Sequence, residues 1–472
     1  MMERQRDTSS CLWLGRHDPA LGDRSPVPDE VEVLVVGAGL AGLATAVQMA
    51  RAGRQVAVVE ARTVGAATTG RTTGKISLLQ GTKLTRIRDL HSAEVVEEYV
   101  AANRAGQDWL LDLCEAYSVE VQRRDAVTYA GDATQVAAVR SECDAAAAAG
   151  LPVTFAERWD SPIPHHGAVI LRDQAQCDPA QLLTALVDEL KAAGGTVHEG
   201  HRMVRVSLTG RPEVTLDGGA VVRADDVVVA TGAPGLDRDL RFASLTAQRS
   251  YLLAYSGIEG IGAMAISAGS PTHSFRDVPG EEPVTLVGGA GHPVGRTKSE
   301  VVGVDRLRGW VVEQFPDAVE THCWSAQDYS PANELPVAET IAIGSSRLHV
   351  LTGFDKWGLT TGVAAAFQVS DRVLGRRPGP WPRSAHVSGK AVLRTLTDNL
   401  QTAQVAATDW ARAALPGGSP DCKVVGVCTH LGGRLRWNDA EQTWDCPLHG
   451  SRFSEDGAVL EGPAKRPLRQ RD

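Results

Sequence analysis

The chain has 472 residues, of which 43% are hydrophobic and 22% are charged, and its formal net charge is −9. One hydrophobic core does not grow to this size, so two or three domains are expected. The net negative charge argues against partners that require a basic surface, and no nucleic-acid partner is predicted.

Apolar runs and cysteines give two further expectations. No apolar run approaches eighteen residues and the first thirty residues lack a signal-peptide core, so no membrane span is predicted. The eight cysteines are irregularly spaced, which is untypical of a disulfide framework. A reducing compartment, the cytoplasm, is therefore predicted.

The first elements form a β-α-β unit. Residues 1–28 are polar and are predicted to form an arm over the first domain. "VEVLVVGAG" then predicts a buried parallel strand, "LAGLATAVQMARAG" a helix closed by Gly53, and "QVAVVEA" a second strand. This order opens a doubly wound, Rossmann-like sheet.

The next part of the chain is predicted to be mainly helical and a later part to be mainly strands. Residues 93–150 are predicted to be mainly helical, and a helix begins after the N-cap residue Asp178. Residues 238–337 are predicted to form strands, because short apolar runs alternate with glycines. "RRPGPWPRS" predicts a linker, and a helix is expected at roughly 388–414.

The first strand and helix are joined by a glycine motif. Gly37, Gly39 and Gly42 form G-x-G-x-x-G, and Glu60 ends the second strand. The glycines permit a tight turn, a close approach of a pyrophosphate and close packing of the helix, while the carboxylate can bind ribose hydroxyls. Such turns also occur for packing alone. The motif favours a nucleotide but does not distinguish NAD from FAD.

Four later stretches of sequence help to distinguish FAD from NAD. "TTGRTTGKIS", "ATG", "WSAQDYSPANELPV" and "TGFDKWGLTTG" follow in this order over residues 29–376. With the glycine motif they resemble the FAD-dependent amine and amino-acid oxidoreductases of the D-amino acid oxidase superfamily, which includes glycine and sarcosine oxidases. The resemblance implies FAD and an α/β fold, in which an α+β substrate domain with an antiparallel sheet is inserted into a Rossmann-like FAD-binding domain.

The resemblance also implies a set of FAD contacts, in which Val204 would make the backbone contact to adenine and Lys75 and Lys356 would lie near the flavin. The implied residues are Gly37, Gly39, Leu40, Ala41, Gly42, Glu60, Ala61, Arg62, Thr69, Arg71, Thr72, Thr73, Lys75, Val204, Ala230, Thr231, Gly232, Gly353, Phe354, Lys356, Gly358, Leu359 and Thr360.

Three positions depart from the family's pattern. Asn333 replaces an aspartate, and Ala326 stands where some sarcosine oxidases attach flavin through cysteine, so non-covalent FAD is predicted; Cys323 is not expected to replace that cysteine. Gln327 and Asp328 stand where an arginine can bind the substrate carboxylate. A carboxylate there would repel a carboxylate and could hold an ammonium group. The alternative is that Asp328 is an ordinary solvated strand residue.

The catalytic candidates are polar side chains of the predicted substrate domain, each with the alternative of a purely structural role. They are Tyr251, Arg276, His292 and Asp328.

A second motif lies near the C-terminus. Cys428, His430, Cys446 and His449 have the spacing C-x-H-x15-C-x-x-H. This is the ligand pattern of a Rieske [2Fe–2S] cluster, in which two cysteines hold one iron and two histidines the other. A Cys2His2 zinc site is less consistent, because structural zinc sites pair cysteine with cysteine and histidine with histidine. A site that no longer binds metal is the third alternative.

Residues around the ligands predict the cluster's potential. Gly433 and Leu448 stand where high-potential Rieske proteins carry a disulfide, and Phe453 stands where they carry a tyrosine donor. Ser451 can still donate to sulfur. Fewer hydrogen bonds to sulfur lower the potential, so the lower half of the range of about −150 to +300 mV is predicted.

These features divide the chain into predicted parts. The C-terminal part is short, cannot bury a large core, and would depend on its cluster or on packing against the flavoprotein. The parts are an arm at 1–28, the oxidoreductase at 29–376 (FAD-binding at about 29–95, 165–237 and 338–376; substrate domain at about 96–164 and 238–337), a linker and helix at 377–419, and a shortened Rieske domain at 420–472.

The combination resembles a group of bacterial flavoproteins with a C-terminal Rieske domain. It implies a dehydrogenase that oxidises an amine or amino-acid-like substrate and passes electrons through the cluster to an external acceptor. Two alternatives remain: a reductase that receives electrons from a donor protein through the cluster, and a non-enzymatic redox sensor. The substrate cannot be named from the sequence.

Overall fold

A computed structural model describes residues 11–14, 21–207, 209–233, 244–341, 346–383 and 424–471. Most of the predicted arm and the helix predicted at 388–414 lie outside these ranges. Among the described residues, no helix combines the length and apolar character needed to cross a bilayer.

The helices, in chain order, are α1 Leu40–Arg51, α2 Lys83–Leu90, α3 Ala93–Ala116, α4 Val136–Ala148, α5 Pro179–Ala192, α6 Glu300–Gln314 and α7 Gly358–Val373. The strands are β1 Glu30–Val36, β2 Val56–Glu60, β3 Lys75–Ile76, β4 Val121–Tyr129, β5 Val153–Ala156, β6 Ala168–Cys177, β7 Thr196–Glu199, β8 Met203–Val206, β9 Glu213–Leu216, β10 Val221–Val229, β11 Leu245–Ser256, β12 Ala263–Ser267, β13 Ser274–Val278, β14 Val284–Pro293, β15 Val319–Pro331, β16 Val337–Thr340, β17 Leu348–Thr352, β18 Arg436–Asn438, β19 Thr443–Asp445, β20 Arg452–Phe453 and β21 Val459–Glu461.

The first sheet confirms the predicted Rossmann-like core. Its main path is β16-β17-β10-β1-β2-β7, and the strands from β17 to β7 run parallel. Helices α1 and α7 pack on each other and share one apolar core with β1 and β2. The carboxyl ends of β1, β2, β10 and β17 therefore open on one edge, where α/β folds bind nucleotides.

The second sheet has the order β15-β11-β14-β13-β12-β4-β6-β3, with β5 beside β6. All its pairs are antiparallel except β4 with β12. The predicted fold class, with an antiparallel sheet beside the Rossmann-like core, is thus confirmed. Strands β3 and β6 belong to this sheet although they fall in ranges predicted for the FAD-binding part, so the boundaries remain predictions.

Residues 93–150 are mainly helical, as predicted, because α3 and α4 cover most of them; β4 lies between these helices, and its centre, Arg123, Arg124 and Asp125, lacks a strand-like composition. The prediction for residues 238–337 was wrong in one part. Residues 238–337 contain α6, whose five valines and two glycines disfavour a helix. The helix nevertheless forms, because Ser299 and a second side chain from far along the chain cap its first turn.

The third sheet, β18-β19-β20-β21, belongs to residues 424–471, hereafter the cluster segment. Its strands are two or three residues long. Its apolar core consists of a few buried side chains around the predicted ligands, namely Val424, Cys428, Leu435, Cys446, Leu448, Phe453, Ala464 and Leu468. Such a core is too small to stabilise the segment alone.

Candidate FAD and cluster sites

The glycine motif has the geometry that its pattern predicts. Gly37 follows β1 with φ of 107°, and a Cβ there would lie 2.6 Å from the Ala230 carbonyl oxygen. A Cβ at Gly42 would overlap the Gly37 carbonyl oxygen. Gly39 caps α1 without a side-chain hydrogen bond of its own, and Leu40 N–H donates to Thr69 Oγ1 at 3.1 Å. The later amide groups of the first turn can bind a phosphate.

Glu60 lies beside this turn at the end of β2. Its carboxylate accepts hydrogen bonds from the backbone N–H of Ala38 and of Arg62, both at 2.9 Å. These bonds fix the carboxylate at the mouth of the turn, and each oxygen keeps a free lone pair. This arrangement fits a residue that binds ribose hydroxyls.

A single cavity runs from Glu60 past the glycine turn to the loop after β17. Most of the residues that the resemblance implies line it: Gly37, Gly39, Leu40, Ala41, Glu60, Ala61, Arg62, Thr69, Thr72, Ala230, Thr231, Gly232, Gly353, Phe354, Lys356, Gly358 and Leu359. A cavity that contains both a phosphate site and a carboxylate for ribose fits an extended dinucleotide.

The other implied residues are near the cavity but do not line it. Lys75 is buried and donates to Ala265 O and Ser274 Oγ, and Thr360 donates to Asn103. Val204 does not line the cavity, but its neighbour Met203 does. Gly42, Arg71 and Thr73 also lie outside the lining.

The four catalytic candidates are not brought together. Asp328 alone lines the cavity. Arg276 is buried and donates to the carbonyl oxygens of Thr73 and Cys177, which is a structural arrangement. Tyr251 and His292 stack with ring centroids 6.1 Å apart, outside the cavity lining.

Asp328 has an unusual environment. Its Oδ1 is shielded from solvent and has no hydrogen-bond partner among the described residues. Burial raises the pKa of Asp328 to about 7, although nearby Lys356 acts to lower it. Lys356 lines the same cavity and donates to Ser250 Oγ at 2.9 Å. The cavity lining therefore includes the Asp328 carboxyl group and the Lys356 ammonium group.

The cluster segment presents two loops of matching geometry. In the first, Cys428 N–H donates to Gly433 O and Gly432 N–H donates to Cys428 O. In the second, Cys446 N–H donates to Ser451 O and Gly450 N–H donates to Cys446 O. Gly432 and Gly450 both adopt positive φ, at 74° and 78°. Each loop thus carries one cysteine and one histidine of the predicted ligand set.

The two cysteine ligands lie next to each other, and so do the two histidine ligands. The thiols of Cys428 and Cys446 are close enough to hydrogen-bond, which lowers the pKa of Cys428 and raises that of Cys446. The rings of His430 and His449 have centroids 5.2 Å apart. A thiolate pair beside an imidazole pair is the donor set of a Rieske cluster. No three His, Cys, Asp or Glu side chains surround one point within the described ranges, and a Rieske cluster needs only two protein ligands at each iron.

The residues predicted to set the potential lie against the ligands. Leu448 covers Gly433, since a Cβ there would lie 2.8 Å from Leu448 Cδ1. The Ser451 hydroxyl is within hydrogen-bonding reach of Cys428. Phe453 is fully buried and offers no donor. The predicted potential itself remains a prediction.

The second cluster loop packs on strand β15 beside the FAD cavity. Gln327 lines the cavity, and its amide nitrogen donates to Gly450 O at 2.8 Å. Arg249 is fully buried, donates to Gln327 Oε1 at 2.7 Å, and lies 3.7 Å from Asp445, the residue before Cys446. One buried polar network therefore joins the two sites, and no local motif predicted it.

Further contacts join the cluster segment to the flavoprotein. Asp439 accepts from the backbone N–H of Glu300 at 2.9 Å and from Ser299 Oγ at 2.6 Å, and so caps α6. Arg296 donates to Pro447 O at 3.1 Å. Tyr251 donates to Asn438 at 3.4 Å, which places this catalytic candidate at the interface.

Comparison with protein families agrees with both sites. The model of the FAD dependent oxidoreductase family (DAO) matches residues 32–372, and that of the Rieske [2Fe-2S] domain matches residues 400–471. The chain therefore belongs to the DAO family of FAD-dependent oxidoreductases and carries a C-terminal Rieske domain. Its cofactors are FAD and a [2Fe–2S] cluster.

Individual relatives show the same combination and its parts. A Bacillus subtilis (strain 168) protein with the provisional name Rieske 2Fe-2S iron-sulfur protein YhfW is 27% identical over 94% of each chain. The iron-sulfur subunit 2 of the Trichormus variabilis cytochrome b6-f complex is 50% identical over 46 residues, 10% of this chain and 26% of that protein. Glycine oxidase from Geobacillus kaustophilus is similar in fold, with a TM-score of 0.64, 16% identity, and coverage of 77% of this chain and 99% of that one.

Proposed function

We propose that the protein is a dehydrogenase that oxidises a C–N bond of an amine or amino-acid-like substrate and passes the electrons through its Rieske cluster to an external acceptor. Bound FAD supplies hydride acceptance, and the cluster supplies one-electron transfer. The observation that carries the proposal is the position of Gln327, which lines the FAD cavity and also hydrogen-bonds the loop of Cys446 and His449. This side chain contacts both sites.

Asp328 is the residue that would accept a proton from the substrate. Its unpartnered Oδ1 is available to a ligand in the cavity, and its pKa of about 7 suits a group that gives and takes protons near neutral pH. As a carboxylate it would hold the ammonium form of the substrate and accept its proton. The neutral amine is the form from which a hydride leaves readily.

Lys356 extends the site to amino-acid-like substrates. Its ammonium group lines the same cavity as Asp328, and a cation there can bind a carboxylate. The solved structures that share this fold support such a substrate, because they include L-proline dehydrogenase from P. horikoshii (TM-score 0.61, 15% identity, 74% of this chain and 95% of that one).

The cluster's two histidines differ in exposure, which supports a direction for the transfer. His449 is 8% exposed and lies between Pro447 and Gly450, which both contact the flavoprotein. His430 is more exposed, and its neighbour Leu431 is an exposed large apolar side chain, at 42%. We assign the His449 side to the flavin and the His430 side to the external acceptor.

The predicted division of the chain belongs to the same proposal, with the flavoprotein at 29–376 and the cluster domain at 420–472. We also propose non-covalent FAD. A cytoplasmic location belongs to the proposal too, because the eight cysteines are sparse and irregularly spaced.

The test is anaerobic mixing of the protein with a panel of amines and amino acids. Flavin absorbance and the EPR signal of the reduced cluster would be followed together. We expect substrate to bleach the flavin and the cluster signal to appear without a mediator. A Cys446→Ser protein, supplied with excess FAD, should still bleach but should lose reduction of one-electron dyes. Bleaching that never reduces the cluster, with peroxide formed in air, would identify a simple oxidase instead.

A further inference from the structure

Six consecutive residues of the cluster segment, Leu460 to Lys465, line the FAD cavity. Leu460 and Glu461 belong to strand β21, and the other four residues follow it. None of them lies in the part of the chain that matches the FAD dependent oxidoreductase family, which ends at residue 372. The cavity wall is therefore built by two parts of the chain.

This wall is held against the end of the cavity that contains Glu60. Arg202, which lines the cavity, donates to Val459 O at 3.1 Å. The Glu461 carboxylate lies near the Arg62 guanidinium and attracts it electrostatically. Because Arg62 follows Glu60 by two residues, Val459 and Glu461 lie beside the predicted ribose site.

The same wall is attached to the cluster. Ala464 N–H donates to Ser451 Oγ at 3.0 Å, and Ser451 closes the second cluster loop through its bond to Cys446. Tyr329 donates to Gly462 O at 3.3 Å, which fixes the middle of the wall on strand β15. A change in the cluster loop therefore moves residues that bound the FAD cavity.

We propose that residues 460–465 are part of the FAD-binding site and that FAD binding and cluster assembly strengthen each other. The small core of the cluster segment makes its fold depend on the cluster, so loss of iron loosens the wall. Linkage is reciprocal, and loss of FAD must weaken retention of the cluster by the same factor. The inference concerns how the cofactors are held and does not depend on the direction of electron flow.

The wall is tested by a pair of neighbouring charge deletions, Lys465→Ala and Arg466→Ala. Lys465 lines the cavity, whereas the side chain of Arg466 is exposed and lies outside the lining. FAD would be titrated into the apo-flavin form of each full-length protein, with iron content measured in parallel. We expect the dissociation constant to rise about tenfold in Lys465→Ala and to stay unchanged in Arg466→Ala. Equal affinity in Lys465→Ala and the wild type overturns the wall assignment.

The linkage is tested with Cys446→Ser, which removes an iron ligand that does not itself line the cavity. We expect the FAD dissociation constant to rise by about fivefold or more, the lower limit of typical coupling. The converse experiment measures iron release from the wild type with and without FAD, and FAD should slow it. The linkage is overturned if Cys446→Ser binds FAD as tightly as the wild type, or if the rate of iron release is the same with and without FAD. Neither readout requires turnover, so failure here is distinguishable from failure of the proposed dehydrogenase activity.

Discussion

The flavoprotein and the cluster segment are stabilised in different ways, the first by a large apolar core and the second by contacts with its neighbour. The nucleotide turn of the flavoprotein lies between a buried strand and a buried helix, and a large apolar core supports it. The cluster segment has very short strands and a small core, and its buried interface is polar, with Arg249, Gln327 and Asp439 as its main contacts. A site with its own core tolerates change elsewhere, whereas a site without one depends on its ligands and its neighbour.

Substitution of Asp328 should produce the largest effect and should affect only the flavoprotein half. Asp328→Asn cannot accept a proton, so the rate of flavin reduction by substrate should fall by about 10²–10⁴. In the wild type the rate should rise about tenfold per pH unit up to pH of about 7 and then level, because Asp328 must be deprotonated. The variant should lack this rise. Stopped-flow absorbance measures both, and an unchanged pH profile in the variant would contradict the assignment.

Arg249 tests whether the cluster segment depends on the flavoprotein. Arg249→Ala leaves the buried Gln327 Oε1 without its donor and removes the guanidinium 3.7 Å from Asp445, which keeps Asn438, Thr443 and Arg452 as partners. We therefore expect the free energy of unfolding to fall by about 1–3 kcal/mol. Iron content should fall as well. Arg223→Ala, which removes an exposed ion pair with Glu213, is the matched control and should cost less than about 1 kcal/mol. Chemical denaturation measures the loss, and equal effects in the two variants would show that the network is unimportant.

Gly450 tests the contact between the second cluster loop and β15. A methyl group at Gly450 would overlap Ala247 Cβ and lie 2.8 Å from Gln327 Nε2, so Gly450→Ala should cost about 1–3 kcal/mol and slow electron transfer from flavin to cluster. Gly53→Ala is the control, because Gly53 also has positive φ but open space around it. Thermal unfolding and EPR of the reduced cluster report the two effects. If Gly450→Ala and Gly53→Ala had equal effects, backbone strain at positive φ, rather than the overlap with Ala247, would be the cause of the lost stability.

Asp439 tests a contact in the opposite direction, from the cluster segment to the flavoprotein. Asp439→Ala removes the carboxylate that caps α6, and we expect a loss of about 0.5–2 kcal/mol. Asp456→Ala is the control at an exposed turn. Hydrogen exchange should show faster opening of the first turn of α6 only in Asp439→Ala. Unchanged exchange there would show that Ser299 caps the helix alone.

Ser451 should give the smallest change, confined to the cluster. Ser451→Ala removes a hydrogen bond to the Cys428 sulfur, so the reduced cluster loses stabilisation and the midpoint potential should fall by tens of millivolts, on the order of one hydrogen bond. Ser454→Ala, at an exposed turn, is the control. A redox titration followed by EPR measures the shift, and a higher potential in Ser451→Ala would exclude the donor role.

The sequence predicted those parts of the molecule whose geometry is local. The glycine turn follows from Gly37 and Gly42, because no other residue fits those positions beside a strand and a helix. The four cluster ligands follow from their spacing within two short loops. The Rossmann-like sheet follows from apolar runs that must be buried on both faces.

The remaining features depend on contacts between distant residues. The composition of α6 disfavours a helix, and its cap comes from Asp439, more than a hundred residues away. Tyr251 and His292 are polar residues of the second sheet, as expected for a substrate pocket, but Tyr251 hydrogen-bonds the cluster segment at Asn438. The cavity wall at 460–465 has no nucleotide-binding pattern, because only docking places it there.

The cap of α6 has a consequence for biosynthesis. Ribosomes deliver the chain from its N-terminus, so Glu300 is made well before Asp439, and Glu60 long before Lys465. A nascent flavoprotein therefore has a helix whose cap lacks Asp439 and a nucleotide cavity open on one side until residues 424–471 have been translated. The cavity wall and the Asp439 contact form only after residues 424–471 have left the ribosome, when both cofactors can enter together.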